Sequence, residues 1–505
     1  MAMRLLALLH TLLACWLTLY GLNSFVLAVL YLLHRSKAEQ TPSVDRAALP
    51  PVTVQVPVYN ELHVVERVID HVAALDYPRD RLQIQILDDS TDETSRLARA
   101  RAALYRERGV DITVLQRPQR DGYKAGALTW GMQQAHGEFI AIFDADFCPS
   151  RDFLLQTIPH FLARPRLGMI QTRWTCLNGD YSPLTQAQAL ALDGHFVIEQ
   201  PARSRSGLLM SFNGSGGVWR RQCIEETGGW QADTLCEDLD LSYRAQLAGW
   251  ECLYLPHVKV PGELPPQITA FKRQQERWAQ GAAQTLRKLA VPILRSRRLN
   301  WRQKVMALVH ISSYMAHPLA VFLLLLSLPL LLLRPDAAQP QVSGLGLACL
   351  GPLLVYAIAQ RRLYPDWQRR LRAVPLLVLI GIGIAWGNTR AIWRGLTRWG
   401  GPFVRTPKFR LEGKAGRWVE SDYRLQTDGT AGGEAALALY ALITAVVALV
   451  TGHYGMVPFM LLDAAAFGTV AGLGWVQTRM RRPPRLLQPA ALLETVQHRR
   501  LEGKG

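Results

Sequence analysis

Residues 139–147 read F-I-A-I-F-D-A-D-F, an apolar run that passes directly into two aspartates. The run predicts a buried β-strand, and side chains two residues apart in an extended chain point to the same side. Asp144 and Asp146 would therefore present paired carboxylates at the strand's end. Oxygen ligands suit hard cations such as Mg²⁺ or Mn²⁺, which complete their shells with water and substrate phosphates. A surface turn is the alternative interpretation, because aspartate is common in turns.

Composition divides the chain into a charged part and long apolar parts. At 505 residues it exceeds one ordinary hydrophobic core, so at least two structural units are expected. The formal net charge of +17 could indicate nucleic acid, but the basic residues cluster beside the apolar runs. That placement is typical of the cytoplasmic face of a membrane and favours membrane lipids, with no nucleic-acid partner. The seven cysteines show no C-x-x-C or zinc spacing, which indicates reduced thiols in the cytosol.

From residue 52 onward, apolar segments of strand length alternate with amphipathic segments of helix length. Strands are predicted at 52–58, 82–87, 112–115, 139–143 and 169–174, and helices at 62–75, 94–108, 124–135 and 153–162. Such alternation predicts a parallel sheet covered on both faces. In open α/β sheets the ligand site lies beyond the carboxyl ends of the strands. Polar residues follow three of these ends: Tyr59, Asn60 and Glu61, then Asp88 and Asp89, then Asp144 and Asp146.

Apolar runs long enough to cross a bilayer occur at residues 5–33, 301–333, 342–359, 435–451 and 457–476. The first run is too long for a signal-peptide core and has no convincing cleavage site, so it is expected to be retained. In a five-span arrangement with an external N-terminus, every cluster of basic residues falls on the cytoplasmic side. Residues 374–386 are apolar but short, with arginines on both flanks. They predict an interfacial or re-entrant helix rather than a full span.

The apolar runs divide the chain into regions of different character. We expect a transmembrane helix at 1–37, a cytosolic α/β domain at 38–300, two transmembrane helices in 301–360, cytosolic interfacial helices and a loop in 361–433, two further transmembrane helices in 434–477 and a basic cytosolic tail at 478–505. The expected protein is therefore a multi-pass membrane protein with its α/β domain in the cytoplasm.

Two motifs of the α/β part could meet a nucleotide. Asp88 and Asp89 open D-D-S-T-D-E-T at a strand end, where a carboxylate can accept hydrogen bonds from a base or a ribose. Helix capping by Ser90 or Thr91 is the structural alternative and leaves both aspartates free. Lys124, in D-G-Y-K-A-G-A-L, falls near a helix start, where an ammonium and the helix N-terminus could meet a diphosphate. A solvated surface lysine is the alternative.

Two later segments could contact an acceptor. The segment F-N-G-S-G-G-V-W at 212–219 places Asn213 between apolar flanks, and its glycines permit either close approach to a ligand or a tight turn. In L-C-E-D-L-D-L, Glu237 and Asp238 begin a predicted helix that ends near Gly249. Acidic residues favour a first helical turn because of the helix dipole. A carboxylate held there beside a pocket could instead deprotonate an acceptor hydroxyl.

A predicted helix at 269–289 carries a third set of polar residues. Gln274, Arg277 and Trp278 have i, i+3 and i+4 spacing and therefore share one helix face. An amide, a guanidinium and an indole make a poor core stripe, but they suit a sugar acceptor and a pyrophosphate leaving group. Gly281, one turn further on, would let another backbone come close.

Six motifs occur in order within residues 51–289: V-P-V-Y-N-E, L-D-D-S-T-D, G-Y-K-A-G-A-L, F-D-A-D-F, C-E-D and Q-Q-E-R-W. Together they resemble the family 2 glycosyltransferases of the cellulose-synthase superfamily, particularly the cellulose-synthase-like A mannan and glucomannan synthases and their bacterial relatives. The resemblance implies a Rossmann-like α/β domain of the GT-A type fused to an α-helical transmembrane domain. It also implies transfer of a sugar from a nucleotide-diphosphate sugar with inversion.

The resemblance assigns roles to individual positions. Nucleotide-sugar binding is implied for Tyr59, Glu61, Asp88, Asp89, Lys124, Asp144 and Arg277. Asp144 and Asp146 would hold Mg²⁺ or Mn²⁺, and Asp238 would be the general base beside Glu237. Acceptor binding is implied for Gln274, Trp278 and Asn213. Cys236 departs from the family pattern, which usually has Thr before the Glu-Asp pair, and this departure concerns local packing more than catalysis.

Residues 403–408, F-V-R-T-P-K, resemble the F-x-V-T-x-K gating loop of cellulose synthases. Phe403, Thr406 and Lys408 align with that pattern, whereas Arg405 replaces Val and Pro407 stiffens the loop. A cytoplasmic loop here could cover a bound nucleotide and exclude water. The cyclic-dinucleotide-binding domain of bacterial cellulose synthases has no counterpart, so regulation by that route is not expected.

The resulting interpretation is a membrane-embedded hexosyltransferase of EC 2.4.1 type in a bacterial inner membrane. It would transfer a hexose from UDP-glucose or GDP-mannose to a growing β-linked polysaccharide, with secretion as a coupled step. A homo-oligomer or accessory secretion subunits are further candidate partners. One alternative is a non-processive enzyme whose acceptor is a ceramide- or diacylglycerol-type lipid. A second alternative, an inactive membrane scaffold or export component, conflicts with the intact carboxylates.

Overall fold

One mixed sheet organises the α/β part of the protein. The computed structural model describes residues 2–35, 39–333, 350–426 and 428–480. Its strands are β1 (Val52–Val58), β2 (Leu82–Asp88), β3 (Ile112–Leu115), β4 (Phe139–Ile142), β5 (Leu167–Cys176), β6 (Gly217–Arg220) and β7 (Glu251–Gly262). Their order across the sheet is β3-β2-β1-β4-β6-β5-β7, so β4 is the central strand of the seven. The F-I-A-I-F-D-A-D-F segment therefore leads from the middle of the sheet to its carboxyl edge.

The predicted parallel arrangement is correct for six of the seven strands, including β7, which runs parallel to β5, and it is wrong for β6. β1 runs parallel to β2 and β4, and β2 runs parallel to β3. β6, which was not predicted as a strand, runs antiparallel to both β4 and β5. The chain enters β6 at the edge where β4 ends, since Gly217 pairs with Ile142. The four residues of β6 directly follow the glycine-rich turn, which is why the local pattern indicated only a turn.

Helices cover both faces of the sheet, as predicted. The helices in the first half of the chain are α1 (Ala2–Leu33), α2 (Val65–Ala73), α3 (Thr94–Arg106), α4 (Tyr123–Met132), α5 (Phe153–Ala163), α6 (Pro183–Gly194), α7 (Gln200–Arg205), α8 (Arg221–Glu226) and α9 (Glu237–Leu247). On one face Val54 and Val56 pack with α2 and α5, and on the other Ile140 and Ile142 pack with α4 and α9. Two opposed apolar layers thus fix the sheet between them.

The start of α3 differs from the capping prediction. The helix begins at Thr94, and the Asp92 carboxylate accepts a hydrogen bond from the Thr94 backbone N–H at 3.0 Å. Ser90 instead accepts a hydrogen bond from the Asn60 backbone N–H at 2.9 Å. Ser90 therefore ties the loop after β2 to the loop after β1, and it does not cap the helix.

The second half of the chain is helical. It contains α10 (Ile268–Arg295), α11 (Trp301–Ile311), α12 (Ala316–Leu333), α13 (Leu350–Leu363), α14 (Trp367–Arg370), α15 (Val374–Gly383), α16 (Ala385–Thr397), α17 (Ala431–Val450) and α18 (Val457–Arg479). By length and composition, four segments within the described residues are candidate membrane spans: Arg4–Leu33, Ser313–Leu333, Ala431–Val450 and Val457–Arg479. A pair bent by 43°, Trp367–Gly383 and Ala385–Thr397, is a broken span or a re-entrant loop and raises the number to five.

The candidate spans locate one predicted span more closely and leave others outside the described residues. Within 301–333, where a spanning run was predicted, the candidate span is Ser313–Leu333, and Trp301–Ile311 is a separate helix. The predicted span at 342–359 falls partly, and the connecting segment 334–341 wholly, outside the described residues. The basic tail beyond residue 480 and the basic flank at Lys37 also fall outside them. The bend between α15 and α16 occurs in the segment expected to be interfacial or re-entrant.

A buried charge cluster joins α10 to the helical region. The Lys272 ammonium lies 2.6 Å from the Asp428 carboxylate and 2.5 Å from that of Glu434, at the start of α17. At most 7% of any of these three side chains is exposed. Since α10 also carries Gln274, Arg277 and Trp278, this cluster connects the helix that bears them to a candidate membrane span.

Candidate active site

A cleft at the carboxyl edge of the sheet brings together nearly all the site residues predicted from the sequence. Its lining includes Tyr59, Glu61, Asp89, Lys124, Asp144, Asp146, Asn213, Glu237, Asp238, Gln274, Arg277, Trp278, Phe403, Thr406 and Lys408. Asp88 is the exception. Its carboxylate accepts hydrogen bonds from the Ser90 backbone N–H and the Gln116 side chain, both at 2.9 Å. The geometry assigns Asp88 to holding the loop after β2.

Aromatic rings and guanidinium groups line one end of the cleft. The Arg120 guanidinium carbon lies 3.3 Å from the Tyr59 ring centroid and 4.9 Å from that of Tyr123. The Phe403 ring stacks on Tyr123 at 6.1 Å between centroids, and Arg277 lies 4.4 Å from Phe403. Flat, electron-rich and cationic surfaces of this kind suit a nucleotide base. Arg120 was not predicted from the sequence, where nothing distinguishes it from the neighbouring arginines.

The Asp89 carboxylate lies at the floor of this end. Arg117 holds it through two hydrogen bonds, from Nε at 2.7 Å and from Nη2 at 2.6 Å. Only 7% of either side chain is exposed. This paired geometry fixes the carboxylate plane rigidly, so any ligand group that meets Asp89 encounters an oriented acceptor.

Lys124 lies at the centre of the cleft, where α4 begins. Its ammonium contacts Asp144 Oδ1 at 2.5 Å and the Gly214 carbonyl at 2.9 Å. Burial opposes protonation, but Asp144 and Glu237 outweigh it and raise the pKa of Lys124 above its ordinary value. The amine therefore carries its charge at neutral pH and faces the region where the helix N-terminus also favours anions.

The second aspartate of the D-A-D sequence is held by the loop that resembles a gating loop. Lys408 Nζ lies 2.8 Å from Asp146 Oδ2 and 2.8 Å from the Glu263 carbonyl. The Glu263 carboxylate accepts hydrogen bonds from the Phe409 and Leu411 backbone N–H groups at 2.7 and 3.1 Å. Glu263, directly after β7, was not predicted from the sequence. It anchors residues 408–411 beside the D-A-D aspartates.

The paired aspartates fit a divalent cation that completes its shell with substrate oxygens. Within the described residues no group of three or more His, Cys, Asp or Glu side chains forms a closed metal cage. Asp144, with 34% of its side chain exposed, faces the cleft, and Asp146 lies behind it in contact with Lys408. Mg²⁺ and Mn²⁺ are commonly held by one or two carboxylates together with phosphate oxygens and waters. The donor set is therefore suitable for a cation that arrives with a diphosphate.

Asp238 occupies the first turn of α9, opposite Lys124. Burial and the neighbouring Glu237 carboxylate raise its pKa to about 7, against the opposing effects of Lys124 and Arg277. The Leu239 backbone N–H donates to Asp238 Oδ1 at 2.8 Å, which leaves Oδ2 facing Gly214. A carboxyl group with a pKa near 7 exchanges a proton readily at neutral pH, as a general base requires.

Gly214 makes the approach between Asp238 and Lys124 possible. Its φ of +84° lies in the left-handed region. A Cβ atom at this position would lie 3.0 Å from Asp238 Oδ2 and 3.4 Å from Lys124 Nζ. The glycine thus serves both interpretations offered by the sequence, since it permits the turn and it keeps the space between two charged groups free.

Gln274, Arg277 and Trp278 line the same cleft from α10, as their spacing predicts. Cys236 packs against this helix: its Sγ lies 3.8 Å from the Trp278 carbonyl, and a Cβ at Gly281 would lie 2.4 Å from Sγ. The close approach expected at Gly281 is therefore made by the residue that departs from the family pattern. The thiol lies between α9 and α10 and affects their packing.

Asn213 is held by side chains that the sequence did not single out. Gln200 Nε2 donates to Asn213 Oδ1 at 2.7 Å, and Asn213 Nδ2 lies 3.1 Å from His195 Nε2. His195 Nδ1 in turn lies 3.0 Å from Glu199 Oε2. His195–Glu199 is a π-helical turn between α6 and α7. The extra residue in that turn orients His195 toward Asn213, and the spacing of residues in the sequence carries no signal for it.

Comparisons with known proteins identify the family of this chain. Residues 50–281 match the family described as "Glycosyltransferase like family 2". The chain is 35% identical over 457 residues to the probable glucomannan 4-beta-mannosyltransferase 2 of Oryza sativa subsp. japonica, covering 87% of this chain and 77% of the relative. It is 34% identical over 446 residues to glucomannan 4-beta-mannosyltransferase 7 of Arabidopsis thaliana, covering 85% and 77%.

A solved structure shares the fold. The mannosyltransferase PcManGT from Pyrobaculum calidifontis, solved in complex with GDP-Man and Mn²⁺, superimposes with a TM-score of 0.50 at 21% identity. The match covers 78% of this chain and 99% of that chain. The mixed sheet and its helices therefore have the GT-A architecture.

Proposed function

Because the chain belongs to the family 2 glycosyltransferases and is a hexosyltransferase, we propose that it transfers mannose from GDP-mannose to the growing end of a β-linked polysaccharide. The relatives named above are mannosyltransferases of glucomannan synthesis, which supports mannose as the transferred sugar. One observation carries the proposal: Asp238, Lys124 and Asp144 face one another in a single cleft at the carboxyl edge of the sheet. A base, a phosphate-binding cation and a metal-binding carboxylate are thereby within reach of one donor.

In the proposed reaction, Asp238 removes the proton from an acceptor hydroxyl as that oxygen attacks the anomeric carbon. The bond from that carbon to the diphosphate oxygen breaks on the opposite face, which inverts the configuration. Lys124 and Arg277 neutralise the charge that develops on the leaving diphosphate. A divalent cation bound by Asp144 and Asp146 would supply further charge neutralisation there. Gln274 and Trp278 orient the acceptor, with the indole stacking on its terminal sugar.

We infer a route for the product along the helical region. The cleft lies beside α10, which Lys272 ties to the candidate span α17. A polymer that starts at Trp278 would leave along these helices as it grows. Residues 403–408 would close over the donor and exclude water, because Phe403, Thr406 and Lys408 all line the cleft.

Membranes that contain the protein would be supplied with radiolabelled GDP-mannose or UDP-glucose, together with Mg²⁺ or Mn²⁺, and the products sized. The expected product is a polymer labelled from GDP-mannose that an endo-β-mannanase digests. A polymer labelled only from UDP-glucose would show that UDP-glucose, and not GDP-mannose, is the donor. A labelled product that dissolves in organic solvent would instead establish a glycolipid acceptor, and the absence of any product would overturn the proposal.

The Asp238→Asn variant separates chemistry from binding. It should lose transfer while it still binds GDP, since the amide cannot accept the proton but fills the same space. Asp80→Asn, whose side chain is 78% exposed and lies outside the cleft lining, is the control and should retain transfer. Substantial transfer by the Asp238→Asn variant would remove this residue from the role of base.

A further inference from the structure

Arg405 and Glu61 form a long ion pair in the cleft, and neither of the two facing atoms makes a hydrogen bond. Arg405 Nη1 lies 3.4 Å from Glu61 Oε2, and the side chains are 15% and 12% exposed. Neither atom has a hydrogen-bond partner among the described residues. Buried donors and acceptors in folded proteins are normally satisfied, so two such atoms facing each other on the wall of a ligand cleft indicate a group that a ligand supplies.

The arginine is held in place by a contact that leaves this nitrogen free. Its guanidinium carbon lies 4.1 Å from the centroid of the Tyr423 ring. The Tyr423 hydroxyl donates to Asp92 and accepts from the Leu62 backbone N–H at 3.3 Å. The Tyr423 ring, on which Arg405 stacks, is thus fixed to the loops that follow β1 and β2. Arg405 is therefore pre-positioned, since its stacking surface is anchored to the nucleotide end of the cleft.

The position along the cleft identifies the ligand group. Tyr59, covered by Arg120, lies two residues before Glu61 and belongs to the surface suited to a base. Asp146 lines the same cleft as Glu61 and belongs to the end suited to a diphosphate. In a nucleoside diphosphate the ribose connects the base to the phosphates. Glu61 and Arg405 therefore lie where a ribose would be.

We propose that Glu61 and Arg405 together bind a ribose hydroxyl of the donor nucleotide. A hydroxyl both donates and accepts hydrogen bonds, so one oxygen can bridge the carboxyl oxygen and the guanidinium nitrogen. This inference rests on the proposed nucleotide-sugar donor. It also gives a function to the residue that departs from the F-x-V-T-x-K pattern, because a valine at position 405 could make no such hydrogen bond.

The test measures binding of GDP, 2′-deoxy-GDP and 3′-deoxy-GDP to the full-length protein in detergent by calorimetry. The wild type should bind one of the deoxy nucleotides about tenfold more weakly than GDP, because the bridging hydroxyl is missing. In the Arg405→Val variant, GDP affinity should fall close to that of the deoxy nucleotide, whose own affinity should stay nearly constant. This thermodynamic cycle isolates the contact between the side chain and the hydroxyl.

Arg417→Val is the matched control, because Arg417 lies in the same segment with 77% of its side chain exposed and should leave all three affinities unchanged. Arg405→Lys keeps the charge and should restore part of the discrimination. An equal loss for all three nucleotides in Arg405→Val would mean that Arg405 contacts a phosphate, and would overturn the inference. Equal binding of all three by the wild type would also overturn it. If no nucleoside diphosphate binds, the proposed function itself fails.

Discussion

Asp238 has two neighbours with opposite effects on its acidity. Glu237 lies beside it in the first turn of α9, and Lys124 lies across Gly214. Burial adds to the effect of Glu237, so the pKa of Asp238 rises to about 7. The pKa of the proposed general base therefore lies close to neutral pH, where the carboxyl group can both accept and release a proton efficiently.

The transfer rate should consequently depend on pH with an acid limb controlled by Asp238. Its folded-state pKa is raised, so the carboxylate is depleted as the pH falls below about 7, and the rate should decrease about tenfold per pH unit there. Initial rates at saturating donor across a pH series would measure this. Burial also raises the pKa of Glu61 to about 8. Because Glu61 lies in the proposed donor site, donor affinity should be measured at each pH to separate binding from the rate of transfer. A rate independent of pH through this range would contradict the assignment.

Gly214→Ala should strongly slow transfer although it adds only one methyl group. The new Cβ would meet Asp238 Oδ2 at 3.0 Å in a backbone conformation that disfavours any side chain. We expect at least about a hundredfold loss in kcat, since displaced catalytic groups lose their alignment. Gly207→Ala is a matched control, because Gly207 has a φ of +70° with nothing within 4 Å of its added Cβ. A comparable loss of rate in both variants would show that backbone strain alone is responsible.

At the scale of elements, α10 connects chemistry to the membrane region. One part of its surface presents Gln274, Arg277 and Trp278 to the cleft, and Lys272, two residues before Gln274 and on a different side of the helix, joins Asp428 and Glu434. The helix packs along α16 and also contacts α9, which carries Asp238. The buried ion cluster therefore links α17 to the helix that bears the predicted acceptor-binding residues.

Lys272→Met should destabilise the protein by about 3–5 kcal/mol, because it leaves two buried carboxylates without a cation. Thermal unfolding in detergent would measure the effect. Adding Glu434→Gln to the variant should recover part of the loss. The exposed pair Arg96–Glu93 provides the comparison, and Arg96→Ala should cost less than about 1 kcal/mol. If Lys272→Met costs no more than that, the cluster does not hold α10 in place.

At the scale of the whole molecule, the sequence predicted the features encoded in adjacent residues better than those that depend on contacts between distant segments. The strands that end in polar residues and the i, i+3, i+4 face of α10 are encoded in adjacent residues, and the structure contains them. The antiparallel β6 and the anchoring of residues 408–411 by Glu263 depend on segments distant in the chain. No local pattern encodes such contacts, so the sequence alone did not predict them.

The distribution of charge also leads to a prediction for the intact protein. If the α/β part is cytoplasmic, an epitope inserted at the exposed Gly413 should be accessible only from that side. An epitope fused to the N-terminus should be accessible only from the opposite side. Protease protection in sealed spheroplasts and in inverted vesicles would measure both. Accessibility of both epitopes from one side would require an even number of spans between them.

Each aspartate of the D-A-D sequence already has a lysine partner, Lys124 for Asp144 and Lys408 for Asp146. A divalent cation that binds alone must displace an ammonium group from its aspartate. The displaced lysine then loses its ion pair and gains no new anionic partner. When the cation enters with a diphosphate, both freed lysines meet phosphate oxygens. Cation and nucleotide should therefore bind cooperatively, each raising the affinity of the other by the same factor. The cleft should thus bind the complex of cation and nucleotide more tightly than it binds the free cation.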